Sequence, residues 1–262
     1  MSDYELPDVW EWEDENTKKS GNRPTAGSRF DQELPVGDAP FQLYSLPTPN
    51  GIKIAIMFEE LKELGAEGAD YDVYKIDIGE GDQFGSDFVK INPNSKIPAL
   101  VDQSQEPGLK IFESASILQY LAEKFDVLLP KDIKGRTETM NWLFWQIGAA
   151  PYVGGGFGHF FNYAPEPMEY PINRFTMETK RQLDVLDKNL AKRDYIAGDE
   201  YTIADIVNWP WYGRLVLGEL YEGSAEFLNV EEYPNLMEWA KRIAERPGVK
   251  NGLDVEYQPL NE

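Results

Sequence analysis

The sequence contains no cysteine and a single histidine, His159, in 262 residues. Without a protein thiol, cysteine nucleophiles, Cys-X-X-Cys redox pairs and thiolate-ligated zinc are all excluded. A Ser-His-Asp triad would have to use His159, and no G-x-S-x-G motif accompanies it. Sulfur redox chemistry here would therefore need a thiol carried in by a ligand. The lack of cysteine also fits a reducing compartment. Long apolar runs are missing too, so no segment is expected to span a membrane. The opening "MSDYELPDVWEWEDE" is acidic and has no basic start followed by an apolar stretch, which does not read as a signal peptide. A cytoplasmic location is the expectation. Basic residues are scarce: 25 Lys and Arg stand against 46 Asp and Glu, a formal net charge of −21. That balance argues against nucleic acid and anionic lipid as partners. An anionic small ligand would need local cations and helix N-termini to overcome the global field.

What is present suffices for a core: 42% of the residues are hydrophobic and 13% aromatic. Residues 1–40 show little periodicity and read as an extended arm, with Trp10 and Trp12 suggesting that it lies against something, or else as a disordered acidic tail. "FQLYS" (41–45) reads as a strand. From Gly51 to Leu64 a helix is expected, because Ile54, Met57, Phe58 and Leu61 fall on one stripe. "YDVYKID" (71–77), "NPNSKIPALVD" (92–102) and "LKIF" (109–112) carry further strands, and "ESASILQYLAEKF" (113–125) a helix. Beyond about residue 130 only helical patterns follow. Strands and helices thus segregate, which predicts two domains, 41–128 and 129–262, joined by a linker at "LPKDIKGR".

Several residues could carry chemistry. Thr48-Pro49-Asn50-Gly51 stands at the mouth of the first helix. Thr and Asn there serve as N-cap residues, and they are also donors placed where a thiolate would be stabilised. Tyr44 and Ser45 are rival hydroxyls. Pro98, preceded by a β-branched residue and leading into a strand, fits a cis bond, or is an ordinary strand-entry proline. Glu113-Ser114 at a helix start can cap the helix, or can meet an ammonium and a carboxylate together. "GGGFGHF" (154–160) follows no strand and lacks the Gly-Lys-Ser/Thr ending of a phosphate loop. Loose helix packing or a pocket wall suits it better, and a structural role suits His159. "TIAD" (202–205) predicts a capping box, with Thr202 as cap and Asp205 reaching back.

The order of elements, with "NPNSKIPAL", "FESASILQYLAEKF" and "AGDEYTIADI", resembles the cytosolic glutathione transferases. Longer blocks, including "LPVGDAPFQLYSLPTPNGIKIAIMFEEL", "RTETMNWLFW" and "INRFTMETKRQLDVLDKNLA", resemble the bacterial Nu class over roughly residues 20–250. The resemblance implies a thioredoxin-like N-terminal domain, an all-helical C-terminal domain, a homodimer and one or two glutathione molecules per site, with no metal. It implies glutathione-dependent reduction of small disulfides, with weak conjugation or peroxidase activity. The alternative is a non-enzymatic binding or regulatory protein on the same scaffold. Carried over residue by residue, Thr48 and Asn50 would activate the glutathione sulfur, with Pro49 between them. Lys96, Ile97 and Pro98 would hold the cysteinyl and carboxylate parts, and Glu113 and Ser114 the γ-glutamyl end. Asn22, Gln83, Gln146 and Arg174 are implied as further contacts. For Gln146 the local register departs from the family pattern.

Overall fold

The computed structural model describes residues 5–12, 21 and 23–260. Asn22, one of the expected glutathione contacts, lies outside the described residues. The sheet is built from β1 (Phe41–Ser45), β2 (Tyr71–Lys75), β3 (Ala99–Asp102) and β4 (Leu109–Phe112) in the order β2-β1-β3-β4. β1 runs parallel to β2 and antiparallel to β3, and β3 pairs antiparallel with β4. A parallel pair needs a crossover, and α1 (Pro49–Glu63) supplies it. α2 (Ser86–Ile91) and α3 (Ser114–Phe125) complete this half. The thioredoxin-like expectation holds.

α1 starts two residues earlier than its periodicity indicated. Proline at the first helical position needs no N–H partner and already has a helical φ, and Thr48 caps the turn through its hydroxyl. α3 starts one residue later than expected. Glu113 sits at φ 70°, ψ 121°, outside helical space, and so precedes the helix.

Helices account for the rest: α4 (Ile133–Pro151), a π-helical stretch over Tyr152–Tyr163, α5 (Glu169–Leu190), α6 (Ile203–Asn208) and a π-helical turn over Trp209–Gly213. α7 (Arg214–Val216), α8 (Ser224–Leu228), α9 (Pro234–Ala244) and α10 (Pro247–Leu253) follow. The capping box at Thr202 is present, with Asp205 returning a hydrogen bond to the Thr202 backbone.

One hydrophobic core joins the two halves, taking Leu43, Phe58, Leu100 and Leu118 from the sheet half and Leu143, Leu183, Tyr212 and Trp239 from the helices. A smaller cluster of Tyr44, Tyr74, Phe88 and Val101 fills the other face of the sheet. α10 lies directly on α1. A Cβ on Gly252 would stand 2.7 Å from the Ile56 backbone, so glycine is what permits this approach. Beside that contact Arg246 makes a two-pronged ion pair with buried Glu60, 2.7 Å on each arm. Residues 29–34 run along the Asp82–Phe84 turn and the start of α2. The Arg29 N–H donates to Phe84 O, the Ser86 N–H to Phe30 O and the Leu34 N–H to Asp87.

Candidate functional site

The site begins with the first turn of α1. Gly51 lets that turn nest against β1: a Cβ there would meet the Leu46 carbonyl at 1.9 Å. The positive end of a fifteen-residue helix therefore opens into a cleft between the two halves. The cleft has a volume of about 450 Å³. Thr48, Asn50, Lys53, Ser114 and Gln146 give it a polar wall, and Pro151, Tyr163, Trp211 and Tyr221 an apolar one. A second hollow of about 180 Å³ adjoins it, sharing Asn50, Glu113 and Ser114 and adding Asn92, Lys96, Ile97 and Pro98. The Ile97–Pro98 bond is cis, as predicted. Asn92 braces this loop by donating to Lys96 O at 2.6 Å and accepting from the Asn94 N–H at 2.9 Å.

The hydrogen bonds fix which atoms face the cleft. Thr48 Oγ1 accepts from the Gly51 N–H at 3.5 Å, so its own proton can be donated outward. An indole N–H only donates, so the Asn50 atom 2.9 Å from Trp211 Nε1 is Oδ1, and the Asn50 NH₂ is left for the cleft. The same reasoning applies at the floor. Lys53 is fully buried there, donating to Ser114 Oγ at 3.2 Å and Gln146 Oε1 at 2.9 Å. Ser114 keeps its O–H, and Gln146 keeps an Nε2 that is buried without a protein partner. Burial pushes the Lys53 amine down to about 7, and the nearby Glu113 carboxylate acts in the opposite direction. Thr48, Asn50, Ser114 and Gln146 thus each present a donor. Such a wall suits thiolates and carboxylates and disfavours cations.

The structure brings together Thr48, Pro49, Asn50, Glu113, Ser114 and Gln146 in the cleft, and Lys96, Ile97 and Pro98 in the adjoining hollow. Two expected contacts stand apart. Gln83 is buried in the short 3₁₀ turn Asp82–Phe84, and Arg174 is exposed on α5; neither lines either hollow. Neither rival hydroxyl lines the cleft. Tyr44 donates to the Pro35 carbonyl at 2.7 Å, and Ser45 is buried behind the first turn of α1. Gly154 and Gly155 line the cleft, so the glycine-rich segment is indeed a pocket wall. His159 is exposed on that segment, edge-on to Phe160.

Sequence reasoning missed Lys53 and Trp211. A signal for Lys53 existed. The run from Ile52 to Phe58 is apolar on nearly every face, which marks a buried helix. A lysine inside such a run must be buried and must find partners. Trp211 offered no comparable signal, because it meets Asn50 across 161 positions of sequence.

Comparison with known proteins identifies the family. Residues 39–123 match the glutathione S-transferase N-terminal domain model and residues 174–247 the C-terminal domain model. The chain belongs to the glutathione transferase family. Within that family it is 57% identical over 267 residues to the disulfide-bond oxidoreductase YghU of Escherichia coli, covering 99% of this chain and 91% of that one. The crystal structure of glutathione transferase YghU from Streptococcus pneumoniae, complexed with glutathione, superposes with a TM-score of 0.95 at 62% identity. That match covers 98% of this chain and all of the other (100%). A Burkholderia graminis glutathione transferase with two glutathione molecules bound per subunit gives 0.74 at 38% identity, covering 82% of this chain and 87% of that one.

Proposed function

We propose that this protein reduces small disulfides at the expense of glutathione. The observation that carries the reading is a donor-lined cleft at a helix N-terminus in a chain without cysteine. Such a site can lower the pKa of a thiol, but the thiol must arrive with the ligand. Glutathione loses its proton to solvent, and its thiolate, held by Thr48 and Asn50, attacks one sulfur of the substrate disulfide. The S–S bond breaks, a mixed disulfide forms and the other half leaves as a thiolate. A second glutathione thiolate then attacks the mixed disulfide, releasing the second thiol and glutathione disulfide. Each exchange requires a thiolate.

Glu113 and Ser114 receive the γ-glutamyl ammonium and carboxylate, and the Ile97 backbone pairs with the cysteinyl residue as an added strand would. The larger cleft beside the smaller hollow leaves room for the second glutathione. The relatedness to a disulfide-bond oxidoreductase supports the reaction class. Gln83, Arg174 and Asn22 remain further proposed contacts. We also infer a cytoplasmic homodimer. Phe144 on α4 and Met177 on α5, 59% and 61% exposed, offer apolar surface for a second copy.

The test is glutathione-dependent reduction of a small dialkyl disulfide, coupled to glutathione reductase, run beside conjugation to a chlorinated dinitrobenzene. Fast disulfide turnover with slow conjugation is expected. Bound glutathione with neither activity would make the protein a binding module instead.

A further inference from the structure

Lys53 does work that the exchange reaction does not require of it. It is fully buried, it makes no ion pair among the described residues, and its hydrogen bonds go to two neutral oxygens that line the cleft. We propose that Lys53 is a positioning residue whose ammonium, by donating to Ser114 Oγ and Gln146 Oε1, turns the Ser114 hydroxyl and the Gln146 amide into the cleft to receive an anionic ligand. The proposal rests on the glutathione reading and deepens it.

The argument is one of hydrogen-bond polarity. An ammonium carries three protons and no lone pair. Both oxygens it touches must therefore accept, and their own protons must point elsewhere. For Gln146, which lines the cleft and gives its Oε1 to Lys53, the Nε2 is buried and has no protein partner. A buried donor without an acceptor is costly, and a ligand carboxylate removes that cost. A neutral amine behaves differently. It has a lone pair that can accept the Ser114 O–H and draw it away from the cleft. The wall is then a full donor set only while Lys53 is protonated.

Burial disfavours the ammonium in the empty site, and Glu113 at the head of α3 favours it. α4 faces Lys53 with uncharged Gln146. An arriving carboxylate tips the balance toward the ammonium, so binding and protonation are linked. Anionic ligand should bind with proton uptake, and more weakly as pH rises through the neutral range.

The probe is S-methylglutathione, which has no titratable thiol. Binding is measured by titration calorimetry at pH 7 to 8 in buffers of different ionisation enthalpy. The protein as it stands should take up close to one proton per site at pH 8, and its Kd should rise toward tenfold per pH unit above about 7. Lys53→Met should bind at least about tenfold more weakly, without uptake. Lys53→Arg, permanently charged, should bind without uptake and with a flat pH profile. His159→Gln, the control for the only histidine, should leave the uptake intact. Binding by the unaltered protein without proton uptake overturns the proposal, and needs no variant to fold. So does uptake that survives in Lys53→Met. No binding of the probe at all would remove the glutathione reading and this proposal with it, whereas binding without uptake removes the proposal alone.

Discussion

Trp211→Phe is the sharpest test of the polarity argument. It retains a ring against the cleft and deletes one N–H. Asn50 Oδ1 then loses the donor that selects its orientation, a 2.9 Å bond at a part-buried position. Two effects follow. An oxygen loses its partner, at a cost of about 1–2 kcal/mol. The amide can also flip, presenting oxygen rather than NH₂ to the glutathione sulfur. A loss of about 1–2 kcal/mol of transition-state stabilisation corresponds to about 5- to 30-fold in kcat/KM. Phenylalanine is smaller than tryptophan, so part of any loss could come from packing. A double-mutant cycle with Asn50→Ala separates the two contributions. If the indole acts through the amide, the double variant should be at least about fivefold more active than the product of the single effects, a coupling of about 1 kcal/mol. The assay is disulfide turnover at saturating glutathione, with melting temperatures recorded beside it. Purely multiplicative effects would refute the idea that Trp211 sets the polarity of Asn50.

Other outcomes follow from the same geometry. Thr48→Ala should depress kcat far more than glutathione affinity if the hydroxyl holds the thiolate as proposed; unchanged turnover would shift the role to Asn50. Asp205→Ala should lower the melting temperature without altering glutathione affinity, since its carboxylate accepts from the Thr202 and Ile196 N–H groups and the Trp239 indole, away from the cleft. Glu178, held by Arg181 and Gln182, has its carboxyl lowered to about 2. A depressed folded-state pKa gives stability that is present above the ordinary carboxylate range and lost as pH falls toward 2. Glu178→Gln should therefore flatten the acid limb of a stability–pH profile below about pH 4.5 while costing stability at neutral pH; an unchanged acid limb would show that the pair contributes nothing.

Much of this was legible because local rules and tertiary structure agree. The stripe Ile54, Met57, Phe58, Leu61 marks a helix on any reading, although periodicity alone puts its start at Gly51 and not at Pro49. Pro98 by itself reads equally as an ordinary strand-entry proline, whereas the capping box at Thr202 follows from short-range chemistry alone. The π-helical stretch did not. "YVGGGFGHFFNY" has an ordinary helical pattern, and the close approach of Phe175 and Tyr221 to Gly156 and Gly158 comes from distant segments that the pattern does not show. Lys53 was overlooked because a lysine is usually solvated, and its buried partners lie 61 and 93 residues away. The residues that line the two hollows were named from type and resemblance. Those that orient them were not, because orientation is set by contacts between distant segments.

The docking of α10 on α1 also bears on when the protein becomes competent. Glu60 and Arg246 are separated by 186 positions, and α10 seats itself on the helix whose opposite end holds Thr48 and Asn50. A chain emerging from the ribosome has made its four strands and α3 long before it can supply that brace. Until residue 252 is free, Ile56 keeps an open flank and Glu60 is a carboxylate without its arginine. The glutathione half is thus first in the order of synthesis and among the last parts to be finished. A truncated or nicked chain should fail at binding glutathione even with every cleft residue present.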